Sequence, residues 1–203
     1  MAQRSRCGSQ RFFGEENVNT DGKIAINIPE VKGSRPSIDI VPSFDYVRYD
    51  DALQTPNLAN KGSCVFPKGG GLKIVNWPEQ QYDNGVLKND LTTKRYKRFV
   101  RALKNAENVL VDAEVIEELP SYFMECLVYN ADNSVFYQPG DDLQSAFKRV
   151  IIDISSKLEN EDRVPMVEPN ELKYLFRGES KWSVDKAKTL LNETWNFLGY
   201  DED

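Results

Sequence analysis

The stretch SIDIVPSFDY, residues 37–46, decides the fold because it reads as a strand that carries a single acid at its centre. Ile38 and Ile40 alternate with Asp39, so the two isoleucines would point to one face of a sheet and the carboxylate to the other. The alternation stops at Pro42. A buried carboxylate is costly unless it is paired or bound to a metal. The pattern therefore leaves two interpretations for Asp39: an edge-strand acid in contact with water, or a ligand in a cleft.

Two alternating segments predict that this strand belongs to a hairpin. Residues 23–28 (KIAINI) alternate between apolar and polar side chains, and the turn segment VKGSRP separates them from a second strand over 37–41. Two such runs joined by a turn are typical of an antiparallel pair. Farther along, residues 50–71 are polar and rich in Gly, Pro and Asn, which predicts a loop, in a part of the chain where loops and short strands are expected to alternate. A short strand is predicted after it, over 72–77.

Helical periodicity dominates the remainder of the chain. Helices are predicted over 92–110, 120–130, 141–157 and 183–198, with Ser183 capping the last, and the chain opens on a helix that ends at Gly14. Apart from that opening helix, the first ninety residues read as strand and loop. Because strands and helices are segregated, the predicted fold class is α+β, with a small sheet beside a helical subdomain and a cleft between them. The predicted domains are residues 1–90 and 91–203.

Composition excludes several classes of function. The chain of 203 residues contains no histidine, which removes Ser-His and Cys-His nucleophiles and histidine metal ligands. The net charge of −6 argues against general nucleic-acid binding, and no apolar run approaches the ~20 residues of a membrane span. Three scattered cysteines offer no zinc spacing and fit a reducing cytosol, so a cytoplasmic location is expected; they are Cys7, Cys64 and Cys126.

The helix predicted around residues 94–104 is strongly basic on an otherwise acidic chain. At about 100° per residue, its apolar side chains share one arc, while Lys97, Arg101 and Lys104 stack on another; the apolar set is Tyr96, Phe99, Val100 and Leu103. A line of cations on an acidic protein favours a phosphate-bearing ligand. The alternative is a solvated charged face beside acidic neighbours.

Four segments, in this order, resemble the bacterial CD-NTase family, enzymes akin to cyclic GMP-AMP synthase and oligoadenylate synthase. The segments are IDIVPSFDY (38–46), the run from Ile74 to Asn105, PSYFMECLVYN (120–130) and the run from Tyr174 to Leu198. The resemblance implies a partial polymerase-β-like nucleotidyltransferase sheet followed by a helical substrate-binding subdomain. It implies ATP, GTP or another nucleoside triphosphate as substrate, and a cyclic or linear oligonucleotide second messenger for antiphage signalling as product.

The resemblance also assigns roles to individual residues. Asp39 matches a carboxylate that holds Mg²⁺ (or Mn²⁺), and metal ions there would neutralise charge on the phosphoryl group. Lys104 best matches the lysine that holds the donor triphosphate, with Lys97 a second candidate. Ser121 and Tyr122 match a pair whose hydroxyl contacts phosphate and whose ring stacks on the base. For Tyr122, a core aromatic remains the alternative.

One departure from the family pattern bears on activity. The family's Gly-Ser turn and its strand with an Asp-x-Asp pair precede the Asp39 strand; here Gly8-Ser9 is followed by no such pair, and the nearest acids are Glu15, Glu16 and Asp21. With one carboxylate a two-metal site is incomplete. The chain is therefore expected to be the C-terminal part of such an enzyme and inactive alone, with an N-terminal segment or partner chain missing. The alternatives are a non-catalytic nucleotide-binding module and a partner-docking module.

Overall fold

The computed structural model describes residues 2–50, 59–161, 164–177 and 182–201, with side chains from residue 8 onward. The chain divides into two compact units, Met1–Pro78 and Glu79–Asp203. The elements in chain order are α1 (Ala2–Phe13), β1 (Ile26–Ile28), β2 (Ile38–Ile40), β3 (Phe44–Tyr49), β4 (Ala59–Val65), β5 (Ile74–Asn76), α2 (Pro78–Leu91), α3 (Tyr96–Asp112), α4 (Ser121–Tyr129), α5 (Leu143–Glu159) and α6 (Val184–Phe197). This mixture of small antiparallel sheets and helices confirms the predicted α+β class.

The predicted hairpin is confirmed in the first unit. Strands β1 and β2 pair antiparallel, with Asn27 opposite Asp39 at the centre of the register. Ile26 and Ile28 on β1 are buried, as the alternating pattern requires for the apolar face of a strand. The second sheet has three antiparallel strands in the order β3-β4-β5.

Strand β4 corrects the prediction of a loop over 50–71; residues 51–58 of that segment lie outside the described residues. β4 is polar (ANKGSCV), so its sequence carries no alternating apolar signal, and pairing with β3 and β5 makes it a strand. Its Gly62 is needed for close packing and does not mark a loop. A Cβ atom there would lie 2.5 Å from the carbonyl oxygen of Asn76 and 2.8 Å from the Trp77 ring.

Helix α2 corrects the interpretation of the first ninety residues as strand and loop. Its largest apolar side chains, Tyr82, Leu87 and Leu91, are exposed, so the sequence shows no amphipathic stripe. Polar side chains attach α2 to the rest of the helical unit instead. Asn84 donates a hydrogen bond of 2.8 Å to the carbonyl of Pro169, and Lys88 donates to the carbonyl of Ala131.

Helices α3 to α6 confirm the four predicted helices and enclose one apolar core. Tyr96, Phe99 and Leu103 of α3 are buried, as their shared arc predicted. The α-helix begins at Tyr96 and not at 92, because the backbone at Thr93 and Lys94 is left-handed, with φ of 51° and 62°. Within the described ranges, no helix combines the length and the apolar character that crossing a lipid bilayer requires.

Ser183 caps α6, as predicted: its side chain accepts a hydrogen bond of 3.2 Å from the Lys186 amide. We expect Ser183→Ala to lower the free energy of unfolding by about 1 kcal/mol, because one amide of the first turn loses its acceptor. Urea denaturation followed by circular dichroism measures this loss. Ser183→Asp restores an acceptor and serves as the control; equal losses in both variants would contradict the capping role.

Candidate functional site

Asp39 lies on β2 as an exposed side chain that a neighbouring strand orients. Its Oδ1 accepts a hydrogen bond of 2.8 Å from the Asn27 side-chain amide, and the same amide donates to the Ser37 hydroxyl at 3.0 Å. Asn27 is neutral, so it orients the carboxylate without adding a positive charge beside it. A carboxylate fixed on a strand in this way is suited to binding a cation.

The three acids nearest to Gly8-Ser9 do not form a preorganised cluster with Asp39. Glu15 and Glu16 begin a short 3₁₀ turn, and the Asp21 amide donates to the Asn19 side chain. Across residues 8–50, 59–161, 164–177 and 182–201, no group of three or more Asp, Glu, Cys or His side chains is close enough to hold a metal. The role of Asp39 in metal binding stays a prediction.

In the helical unit, α3 presents the predicted cationic face. Lys97 and Arg101 are exposed and Lys104 is half-buried. Both lysines lie near Glu125 of α4. Burial raises the pKa of the Glu125 carboxyl, while a hydrogen bond from Gln81 and the charges of Lys104 and Lys97 act in the opposite direction. Side chains from α2, α3 and α4 therefore meet at this carboxylate.

Ser121 and Tyr122 form the first turn of α4, immediately after Pro120. Ser121 is exposed, and Tyr122 is half-buried against the core. The Tyr122 hydroxyl donates a hydrogen bond of 3.1 Å to Glu168, and its ring lies 5.7 Å from the Trp182 ring. Burial raises the pKa of Tyr122, so the hydroxyl remains a neutral donor. The ring thus serves packing, and its stacking on a base stays a prediction.

Four of the five predicted residues lie on α3 and α4, two helices that share one apolar core, and Asp39 lies in the other unit. Glu125 is one helical turn after Ser121 and therefore continues the same face of α4 toward Lys97 and Lys104. The prediction from sequence missed Glu125 and Gln81. The spacing of four residues between Ser121 and Glu125 was the available signal for Glu125. Nothing in the sequence pattern indicated Gln81.

Two lysines hold the opposite end of α4. Lys88 donates to the carbonyl of Ala131, and Lys157 donates to the carbonyl of Asn130 at 2.8 Å. The Lys88 ammonium also lies 5.5 Å from the Tyr129 ring centroid. Burial, and next the charge of Lys157, lowers the pKa of Lys88 to about 8. Both acceptors directly follow the last residue of α4, Tyr129; cations near the C-terminal end of a helix stabilise it, because that end carries partial negative charge.

Comparison with known proteins connects the helical unit to one family. A family model described as the cGAS/DncV-like nucleotidyltransferase C-terminal helical domain matches residues 83–199. The chain is 35% identical over 166 residues to a cyclic dipyrimidine nucleotide synthase, CdnE, of Legionella pneumophila, a match covering 81% of this chain and 54% of that protein. It is 33% identical over 169 residues to a cyclic dipurine nucleotide synthase of Elizabethkingia meningoseptica, covering 82% of this chain and 55% of that protein.

A solved structure extends the similarity to both units. The structure of the Elizabethkingia meningoseptica CdnE cyclic dinucleotide synthase with GTP and Apcpp matches with a TM-score of 0.84 at 28% identity. That match covers 98% of this chain and 70% of the other. The chain spans about half the length of the two curated relatives, 54% and 55%.

Proposed function

The chain belongs to the CD-NTase family, and we propose from this premise that it forms the nucleotide-binding part of an enzyme that joins nucleoside triphosphates into a cyclic dinucleotide. The relatives described above are cyclic dinucleotide synthases, and the similar structure contains GTP and a nucleotide analogue. The product would be a second messenger in antiphage signalling. The reaction would take place in the cytoplasm, where nucleoside triphosphates are available.

The single observation that carries this proposal is the cationic face of α3, a helix that shares one apolar core with α4. Lys97 and Lys104 approach α4 closely enough to affect Glu125, which lies one turn from Ser121. A triphosphate carries several negative charges and binds well where cations adjoin a helix N-terminus with unbonded amides. We propose that Lys104, with Lys97, holds the triphosphate, that the Ser121 hydroxyl contacts a phosphate, and that Tyr122 borders the base.

Asp39 is proposed to hold Mg²⁺ or Mn²⁺. Support comes from its exposed carboxylate and the hydrogen bond from Asn27 that orients it. The bound metal would neutralise charge that develops on the phosphoryl group. Two-metal catalysis needs more carboxylates than one, and the family resemblance assigns only Asp39. We therefore propose that the chain of 203 residues binds nucleotides but does not complete catalysis without further carboxylates, supplied by another segment or chain.

Purified chain incubated with the four labelled nucleoside triphosphates and Mg²⁺ or Mn²⁺ tests both parts of the proposal. We expect saturable binding of at least one nucleotide and no cyclic product by chromatography. Asp39→Ala is the test variant, and Asp45→Ala, an exposed acid on β3, is the matched control. A product lost only in Asp39→Ala would contradict the proposed dependence on further carboxylates. Absence of binding for all four nucleotides would contradict the proposed function itself.

A non-catalytic nucleotide-binding module is the second candidate function. The observation that favours it is the exposure of Lys97 and Ser121 and the partial exposure of Lys104, since these side chains would bind phosphate with or without a complete metal site. Adding the N-terminal half of a related synthase to the incubation distinguishes the two candidate functions, the enzyme and the non-catalytic module. Product formed in the mixture favours the enzyme, and binding that never leads to product favours the module.

A further inference from the structure

The Tyr122 side chain is held at its tip by the loop between α5 and α6. Its hydroxyl donates a hydrogen bond of 3.1 Å to Oε2 of Glu168. Its ring also contacts the Trp182 ring, with 5.7 Å between the two centroids. The side chain is nevertheless only partly buried. A ring that is fixed at its tip and against a neighbour, with part of its surface open, is preorganised for contact with a flat ligand.

Glu168 is itself fixed by hydrogen bonds within its loop. Its Oε2 accepts a second hydrogen bond, of 2.8 Å, from the side-chain amide of Asn170, a residue that is 3% exposed. The Asn170 Oδ1 in turn accepts from two backbone amides of the same loop, at 2.9 and 3.1 Å. The ends of the loop, Val167 and Tyr174, form an antiparallel bridge. The Asn130 side chain, directly after α4, bonds to both the carbonyl and the amide of Val167. The carboxylate therefore has a defined position relative to α4.

We propose that Glu168 is a positioning residue that holds the ring of Tyr122 in the orientation in which it borders the base of a bound nucleotide. The inference rests on the proposed function. The phosphates are assigned to other side chains, Lys104 and Ser121, so the effect of Glu168 falls on the part of the affinity that depends on the base. Stacking of a base on an aromatic ring strengthens binding by about 5- to 150-fold, and a ring that is free to turn away loses a part of this gain.

A second tyrosine–glutamate pair supplies a matched control. Tyr129, the last residue of α4, donates a hydrogen bond of 2.5 Å to Oε1 of Glu171, in the same loop. The chemistry is the same, but Tyr129 lies seven residues, about two helical turns, after Tyr122. Glu171→Ala therefore removes the same kind of bond between α4 and the loop, away from the first turn of α4.

The test measures dissociation constants by isothermal calorimetry with Mg²⁺, using the α,β-methylene analogues of ATP, GTP, CTP and UTP, and inorganic tripolyphosphate as the probe without a base. We expect Glu168→Ala to weaken the binding of at least one analogue by about 3- to 10-fold and to leave the affinity for tripolyphosphate within about 2-fold. Glu168→Gln should bind like the wild-type chain, because both donors act on one oxygen, which the glutamine carbonyl replaces. Glu171→Ala should stay within about 2-fold for all probes.

Tyr122→Phe distinguishes positioning of the ring from general support of the loop. This variant keeps the ring and removes the donor, so we expect it to show the same loss as Glu168→Ala. Adding Glu168→Ala to Tyr122→Phe should then weaken binding by less than about 2-fold more, because the hydrogen bond is already absent. If Glu168 acted only through Asn170 and the loop, its replacement would weaken binding equally in both backgrounds, which would contradict the inference.

Unchanged affinity for every analogue in a folded Glu168→Ala variant would overturn the inference and leave the proposed function standing, since the wild-type chain still binds nucleotides. An equal loss for tripolyphosphate and for the analogues would also overturn it. If tripolyphosphate binds too weakly to measure, the double variant decides. Should Glu168→Ala not fold, Tyr122→Phe decides, and wild-type affinity of that variant for the analogues would overturn the inference. A wild-type chain that binds none of the probes would overturn the proposed function as well.

Discussion

Replacing Ile154 with alanine is expected to lower the free energy of unfolding of the helical unit by about 2–5 kcal/mol. Ile154 lies on α5 and is 1% exposed, inside the core that α3 to α6 enclose. Truncation removes buried methylene and methyl groups and leaves a cavity that a close-packed core fills only in part. A loss of this size is a large fraction of the stability of an ordinary domain. Urea denaturation monitored by far-ultraviolet circular dichroism measures it.

The same helix offers a matched control. Ile152→Ala makes the identical chemical change two residues earlier, where the side chain is 50% exposed. We expect this variant to lose less than about 1 kcal/mol, because little apolar surface leaves a buried environment. Similar losses for both variants would contradict the assignment of the core to this face of α5.

Lys104→Ala is expected to weaken nucleoside triphosphate binding by about 10- to 100-fold, the effect of removing one charge-assisted hydrogen bond to phosphate. Lys104 is half-buried, so its ammonium is more restrained and less screened than that of the exposed Lys97. We therefore expect Lys97→Ala to have a smaller effect than Lys104→Ala. Titration with a fluorescent nucleotide analogue at constant ionic strength gives the dissociation constants.

Lys94→Ala is the control for charge alone. Lys94 is exposed in the turn before α3, where it pairs with Asp90. The Lys94→Ala substitution removes the same charge from the same basic segment, but Lys94 is not among the residues whose charge acts on Glu125. We expect its affinity to stay within about 2-fold of the wild-type value. An equal loss in Lys94→Ala and Lys104→Ala would mean that the basic segment attracts nucleotides only through its overall field.

The periodicity of apolar residues predicted the elements that bury a regular apolar face, and it missed the elements that are held by other interactions. Strand β1 and helices α3 to α6 bury regular apolar faces, so alternation or a helical stripe marked them. Strand β4 is polar and depends on its two neighbours for backbone pairing. Helix α2 exposes its large apolar side chains and is attached through Asn84 and Lys88. Neither of these interactions repeats along the sequence.

In the candidate site, too, residue spacing predicted some features and missed others. Offsets of four and seven residues placed Lys97 and Lys104 on one face of α3, and the charges of both lower the pKa of the Glu125 carboxyl on α4. The meeting of that face with α4 and with Gln81 is a tertiary contact, which spacing within one helix does not encode. For Tyr122, the sequence left open a core position, and the structure gives it partners in the core as well as a place in the first turn of α4.

The pair of lysines at the far end of α4 links the two ends of this helix mechanically. Lys88 belongs to α2 and Lys157 to α5, and they donate to the carbonyls of Ala131 and Asn130, directly after the helix whose first turn carries Ser121 and Tyr122. A short helix held at its end cannot shift along its axis without breaking those bonds. Replacements at Lys88 or Lys157 would therefore resemble binding-site mutations in their effect, although neither lysine is assigned to the nucleotide.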